Sequence, residues 1–543
     1  MRKRVWLIAA IAVALMAAGC ANSPASSKTS GSGGSGHSGT ALKPQNGGVL
    51  GVGLGAETDG WNPTSSEWAG NSYLEAETFF DPLMAWDSKG VVVPYLAKNV
   101  THSANYKTWT IDLRPGVKFS NGQSCNAAAV ALQLNDDKKS PLVGQALEPM
   151  VNAVVVNNWT VQVNMSEPWP QFPSILASQA GFMAAPAQLN ATGAASTQDP
   201  IGTGPFILKQ WIPNSTLTVV RNPHYWRPGL PHLNEIVFHI FTDPSTAVRA
   251  LQSNQIQWMY TAEAAQIKQL EASKQYHMYL QYLDEPVFIM INTDAKPLNN
   301  VYLRRALEYA TNQQQLIDVI DLGMGSVTTE PYKPGSKWYV PDGYPTKPNI
   351  AKAKQLVAQY HRATHTSGPV KFTLGCTPAG TNPQSMQLLQ QQWAKAGIDV
   401  TLSFTEQATY INNAIFGSYQ ANCWTQFGSI DPDIDATWWL SSNAHPIGQV
   451  ALNFARVSDP ITDRELQIGR TSSNYAVRKA AYGQVWKEFT KDAQYIWLGR
   501  GPNALIWAPT VHGFGQMTLP NGQQADGLAS DSTPWLTQLW LSS

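Results

Sequence analysis

Apolar and polar positions repeat with two different periods along this chain. Through roughly the first half the period is near two, as in half-buried strands. Gly48 to Leu54 is a short apolar strand. Trp109, Ile111 and Leu113 alternate with Thr110 and Asp112, and Arg114-Pro115-Gly116 ends that run. Val154 to Val156 and Trp159 to Met165 read as a hairpin turned at Asn157-Asn158, since Asn tolerates the left-handed backbone of a two-residue loop. Phe206 to Ile212 and Leu217 to Val220 are two further strands, and Asn71 to Met84 reads as a helix reaching Asp81-Pro82.

In the second half, helical spacing alternates with strand runs. Asn300 caps a helix through Arg304, Arg305, Ala306 and Leu307, and Gln313 to Leu322 forms another that Gly323 closes. Lys371 to Cys376 is a strand. Asn382 caps and Pro383 opens the next helix, with Met386, Leu389, Trp393 and Ala396 on one face and Gly397 beyond its end. Ile398 to Phe404 is a strand, Tyr410 to Phe416 a helix, and Tyr419 to Phe427 a strand. This β-α-β-α-β series predicts an α/β unit with parallel strands. Ligands in such sheets bind outside the carboxyl ends of the strands, so residues after Cys376 and after Phe427 become candidates.

Length and charge narrow the function. At 543 residues the chain exceeds one ordinary core. Charged residues make up only 14%, and 37 basic balance 37 acidic residues. No basic patch or nucleic-acid motif points to a polyanion partner. Arg2, Lys3 and Arg4 precede an apolar run from Val5 to Ala18, which has the length of a signal peptide rather than a membrane span. Ala17-Ala18-Gly19-Cys20 resembles a bacterial lipobox, with Ala17 where Leu is usual. The expectation is a signal peptide at 1–19, a lipidated Cys20, and a Ser/Gly-rich tether over 20–46 that cannot bury a core. Removing 1–19 deletes three basic residues and leaves 34 basic against 37 acidic. No second apolar run of about 18 residues follows.

The chemistry-bearing motifs are few. There is no G-x-S-x-G elbow, H-E-x-x-H, P-loop or C-x-x-C. His361 and His365 are four apart at a helix end, and two exposed histidines favoured by the helix dipole account for them. No cofactor or metal is expected.

The stretch IGTGPFILKQWIPNSTLTVVRNPHYWRPGLPHLNEIVF, residues 201–238, orders a rigid turn, a hairpin and an aromatic loop. It resembles a signature of the solute-binding proteins of peptide-type ABC importers, the extracellular solute-binding family 5. Four further stretches resemble that family in the same order: FFDPLMAWDSKGVVVPYLAKNV (79–100), WTIDLRPGVKFSNGQSCNAAAV (109–130), INTDAKPLNNVYLRRALEYATNQQQLIDVI (291–320) and QQQWAKAGIDVTL (390–402).

The resemblance implies a two-lobe α/β fold of the type II periplasmic-binding-protein kind. Lobe one spans 47–290, with a subdomain inserted near 80–200. Lobe two spans 291–505, and 506–543 returns to lobe one. The lobes would close over a small solute and dock on ABC permease subunits. The receptor would be monomeric, extracytoplasmic, not an enzyme, and attached to the membrane only through its N-terminal lipid. Cys376 and Cys423 would lie on neighbouring strands of lobe two. Two buried thiols are the expectation there and a bridge the alternative. With Cys20 lipidated, three cysteines remain, so at least one of them stays unpaired within the chain.

Glu57, Asp59 and Trp61 follow the first strand, where relatives touch ligand. Trp424, Gln426 and Phe427 end the last strand of the α/β unit, and Gly428, Asp431, Asp433 and Trp439 follow it. In peptide-binding relatives an Asp there takes the ligand ammonium. The position is Gly428 in this chain, so Asp431 or Asp433 is the candidate replacement. Trp61, Trp68, Trp424, Trp438 and Trp439 on cleft-facing loops would suit sugar faces. The expected solute is an oligopeptide, with an oligosaccharide second. Asp431 and Asp433 as the carboxylate pair of a glycoside hydrolase, or a surface scaffold role, are the less supported classes.

Overall fold

The computed structural model describes residues 42–68, 70–282, 284–525 and 535–542. The signal peptide, Cys20 and most of the tether lie outside the described residues. Three sheets organise the rest. A seven-stranded sheet runs in the order His277–Gln281, Asn503–Trp507, Trp258–Thr261, Val49–Leu54, Glu235–Ile240, Thr216–Arg221 and Phe206–Ile212. Val49–Leu54 is parallel to both of its neighbours, and the outer strands are antiparallel.

A four-stranded antiparallel sheet (Ala97–His102, Thr108–Leu113, Thr160–Met165, Met150–Asn157) and the helix Ala127–Lys139 build a separate core. The strand Thr108–Leu113 buries Trp109, Ile111 and Leu113 and leaves Thr110 and Asp112 half-buried, as its alternation dictates. The hairpin turns one residue later than predicted. Asn157 still pairs with Thr160, so Asn158 and Trp159 form the loop.

The third sheet has five strands, ordered Ile398–Phe404, Val370–Cys376, Ala421–Thr425, Val287–Ile291 and Tyr495–Gly499. The first three are mutually parallel, and Val287–Ile291 is antiparallel to both neighbours. Its central strands are apolar on both faces because helices cover both. Ile289, Ile291, Ile496 and Leu498 face the core of helices Val301–Ala310, Ile350–Thr364 and Asn382–Ala394. Phe288, Met290, Tyr495 and Trp497 face the core of helices Pro460–Thr471 and Tyr475–Asp492. The chain passes from the seven-stranded to the five-stranded sheet after Gln281 and before Val287, and returns after Gly499 and before Asn503, so that Asp284 and Arg500 lie on the crossing segments.

Two local expectations are corrected. Asn382 is the first helical residue, and Thr381 is the residue before the helix. Cys376 and Cys423 form a disulfide, with Cα atoms 5.1 Å apart, instead of two thiols. They lie next to each other because Gly375 pairs with Asn422 in the parallel register one residue earlier. Cys125 is free and buried. His365 caps its helix in the left-handed conformation, and His361 bonds Thr366. Among the described residues no cluster of His, Cys, Asp and Glu is built to hold a metal ion. No described helix is long and apolar enough to cross a membrane.

The 201–238 stretch is a clamp. The Gly204 amide donates to the Phe79 carbonyl at 2.8 Å. A Cβ on Gly202 would lie 2.0 Å from that oxygen, and one on Gly204 would lie 2.4 Å from the Phe79 carbonyl carbon. Only glycine permits this approach to the end of helix Gly70–Phe79. Tyr225 and Trp226 then donate to the buried Asp81 carboxylate at 3.0 and 2.8 Å.

Candidate functional site

Two loops carry the candidate residues, one from each large sheet. The loop after Val49–Leu54 holds Glu57, Asp59 and Trp61. Glu57 accepts from Trp211 Nε1 and from the Asn214 amide, both at 2.6 Å, so it pins the 206–221 hairpin. Asp59 is exposed and accepts from the Glu67 amide at 2.9 Å. Half-burial, then the neighbouring Asp59 charge, push the Glu67 carboxyl up to about 7. Trp61 does not face a cleft. It is fully buried between Phe79 and Trp211, with ring centroids 5.4 and 5.7 Å away. Trp68 donates to the Gly60 carbonyl and stacks on Phe80.

The second loop follows Ala421–Thr425. Trp424 is half-buried, stacks on Tyr410 at 5.4 Å and donates to Gln426 Oε1 at 2.9 Å. Phe427 is buried against Phe288, and its φ of 76° turns the chain sharply. Gly428 follows with φ of 81°, and a Cβ there would lie 2.6 Å from the Asp284 carbonyl carbon. An aspartate cannot occupy this position without moving the crossing segment. No carboxylate stands at Gly428, the position expected to anchor a ligand amine.

The two carboxylates proposed to replace that anchor are already engaged. Asp431 caps the helix Pro432–Asp435 and holds Arg478 by two hydrogen bonds, at 2.8 and 2.5 Å. Asp433 accepts from Arg470 Nε at 3.0 Å and from Trp169 Nε1 at 2.6 Å. Both carboxylates are buried with these partners, so neither presents a free oxygen pair to a solute. Trp439 is buried in the second lobe against Trp486 and Phe489, and Trp438 packs on Phe454. Of the ten sequence-predicted site residues, Glu57, Asp59, Trp424, Gln426 and Gly428 keep some exposure without a structural ion pair, and Glu57 is engaged by Trp211 and Asn214.

The crossing segments carry polar residues that pattern reading missed. Arg500 is buried and donates to the carbonyls of Asp284 at 3.0 Å and Glu330 at 2.6 Å, and to the Thr328 hydroxyl. Asp284 in turn accepts from the Lys333 amide at 2.9 Å. Burial, with Asp342 nearby, pushes the Glu330 carboxyl up to about 9. A lone Arg after the apolar run Tyr495–Gly499 was the available signal.

An α/β chain with three main sheets that passes twice between its two large sheets has the architecture of a two-lobe binding protein. This chain belongs to the bacterial extracellular solute-binding proteins, family 5, whose middle-region description matches residues 91–446. It is 27% identical to a glutathione-binding protein of Pectobacterium atrosepticum over 438 residues, covering 79% of this chain and 84% of that one. It is 26% identical to the nickel-binding periplasmic protein of Escherichia coli K12, over 78% of this chain and 84% of that one. Its fold matches an ABC-transporter-associated periplasmic binding protein from Helicobacter pylori, solved with the peptide STSA. There the TM-score is 0.81 at 22% identity, over 92% of this chain and 99% of that one. Proteins of this family are extracytoplasmic receptors of ABC importers.

Proposed function

We propose that this chain captures a short peptide between its lobes and delivers it to the permease of an ABC importer, acting as a receptor and not an enzyme. We further propose that it is monomeric and held at the outer face of the cytoplasmic membrane by a lipid on Cys20. The observation that most favours peptide over oligosaccharide is the state of the aromatic rings. Trp61 and Trp439 are core residues, and Trp424 and Trp68 are already stacked on Tyr410 and Phe80. Sugar recognition needs free aromatic faces, whereas a peptide backbone needs strand ends and amides such as those at Thr425 and Gln426. The solute-bound neighbour from Helicobacter pylori supports the same reading.

The occupied Asp431 and Asp433 shape the reading further. The peptide ammonium is not held by this loop as it is in peptide-binding relatives. The solute is then amine-blocked, or its amine meets lobe one near the exposed Asp59. Native mass spectrometry of soluble residues 21–543, purified from rich medium with denaturing release of bound solute, tests this. A ladder of peptide masses is expected. Hexose-spaced masses would replace the proposal with sugar uptake.

A further inference from the structure

The inserted subdomain and the second lobe are tied by polar contacts, the innermost of them buried, that involve none of Trp424, Gln426 and Gly428. Arg470, on the helix Pro460–Thr471, is the centre. Its side chain is 3% exposed, and that of its partner Asp433 is 1% exposed. From the subdomain, Glu148 accepts from Arg470 Nη1 at 2.7 Å. Trp169, fully buried, donates its indole N–H to Asp433 at 2.6 Å, and its ring lies under the Arg470 guanidinium at 5.8 Å. Glu167 accepts from Gln467 one turn before Arg470. The Leu452 amide donates to Gln145 of the subdomain at 3.2 Å. Apolar side chains interlock beside these contacts: Ile430 and Ile434 pack on the subdomain core, and Leu142 packs on the second-lobe core.

We propose that Glu148, Trp169, Asp433 and Arg470 form a latch that stabilises lobe closure independently of solute. The asymmetry of the cluster supports this. Asp433 and Arg470 both belong to the second lobe and stay paired if the lobes part. Glu148 and Trp169 belong to the subdomain and leave together. Separation therefore leaves no lone charge in the interior, which would otherwise make opening prohibitive. It forfeits one charge-assisted bond from the indole, one half-exposed ion pair and the burial of a Trp ring. Such a loss suits a reversible clasp. A latch that populates the closed state before binding raises apparent affinity for any solute that the cleft accepts. Arg470 is then a positioning residue for solute capture that does not touch solute.

Spin labels on Val155→Cys in the subdomain and Val477→Cys in the second lobe report closure. Both sites are exposed, while Cys125 is buried and the other described cysteines are bridged. The full chain, stripped of solute by unfolding and refolding with the disulfide intact, is measured by pulsed dipolar spectroscopy. The unsubstituted latch is expected to show a closed-distance population. In Trp169→Phe/Glu148→Gln, the closed-to-open ratio should fall about fivefold or more. Glu148→Gln alone alters a half-exposed side chain, leaves the fold intact and should shift the ratio less in the same direction. Coinciding distance distributions for the parent and both variants would overturn the latch.

Discussion

Asp431 and Arg478 face each other as a two-bonded pair, Nη1 to Oδ2 at 2.8 Å and Nη2 to Oδ1 at 2.5 Å, both side chains under a tenth exposed. Arg478 also donates to the Gly469 carbonyl at 2.9 Å and lies 4.9 Å from the Trp338 ring. The pair thus fastens the 425–435 loop to the corner between the last two long helices.

Removing one partner of such a pair leaves the other charge buried and alone. Asp431→Ala is expected to cost about 3–5 kcal/mol of stability, read from the denaturant midpoint. Solute affinity per folded molecule should change little. Preserved stability with lost peptide binding would instead make Asp431 a solute ligand.

Gly428→Asp should fail to restore an amine anchor. The position needs φ of 81°, and the new Cβ would press on the Asp284 backbone. We expect a loss of about 2 kcal/mol or more and no gain in affinity for free-amine peptides by calorimetry. A stable variant that binds such peptides more tightly would show that the crossing segment yields.

Much of the backbone was legible from local pattern. The strands Phe206–Ile212 and Ile398–Phe404 match their predicted limits because Gly, Pro or a clear change of period bounds them. The candidate site was legible only as loops. Trp61 reads as a platform beside Glu57 and Asp59, yet Phe79 and Trp211 enclose it from elsewhere in the chain. Asp433 reads as a free carboxylate, yet Trp169 reaches it across 264 residues of sequence. Burial and ion pairing depend on which distant segments meet, and hydrophobic period carries no such information.

Stability should rise as pH falls from 8 toward 5, through Asp137 among others. This carboxylate is fully buried, accepts from Thr64 and Gln133, and has its other oxygen unpartnered. Burial pushes its pKa up to about 7. A raised carboxyl pKa means that its stabilisation is complete below the unfolded value of about 4 and is lost as pH rises through about 7. Asp81 and Glu67 are raised in the same sense. Asp137→Asn keeps the shape without the charge. It should flatten the pH dependence of the melting temperature and stabilise the protein at pH 8 by roughly 2–4 kcal/mol. An unchanged pH profile would mean that Asp137 is ionised in the fold.

The Cys376–Cys423 bridge joins two strands of the second lobe at the end from which the candidate loop leaves. It closes a loop across 47 positions of sequence. On the chain-entropy argument, cross-linking a loop of this length destabilises the unfolded state by up to about 4 kcal/mol. Tyr410 donates to the Cys423 carbonyl at 2.6 Å and underlies Trp424, so the strand end stays packed without the bond. Cys376→Ser/Cys423→Ser should therefore lower the free energy of unfolding, read from denaturant titration, by about 2–4 kcal/mol while leaving solute affinity within about twofold. A large affinity loss at unchanged stability would show that the bridge instead sets the geometry of the Trp424–Gly428 segment.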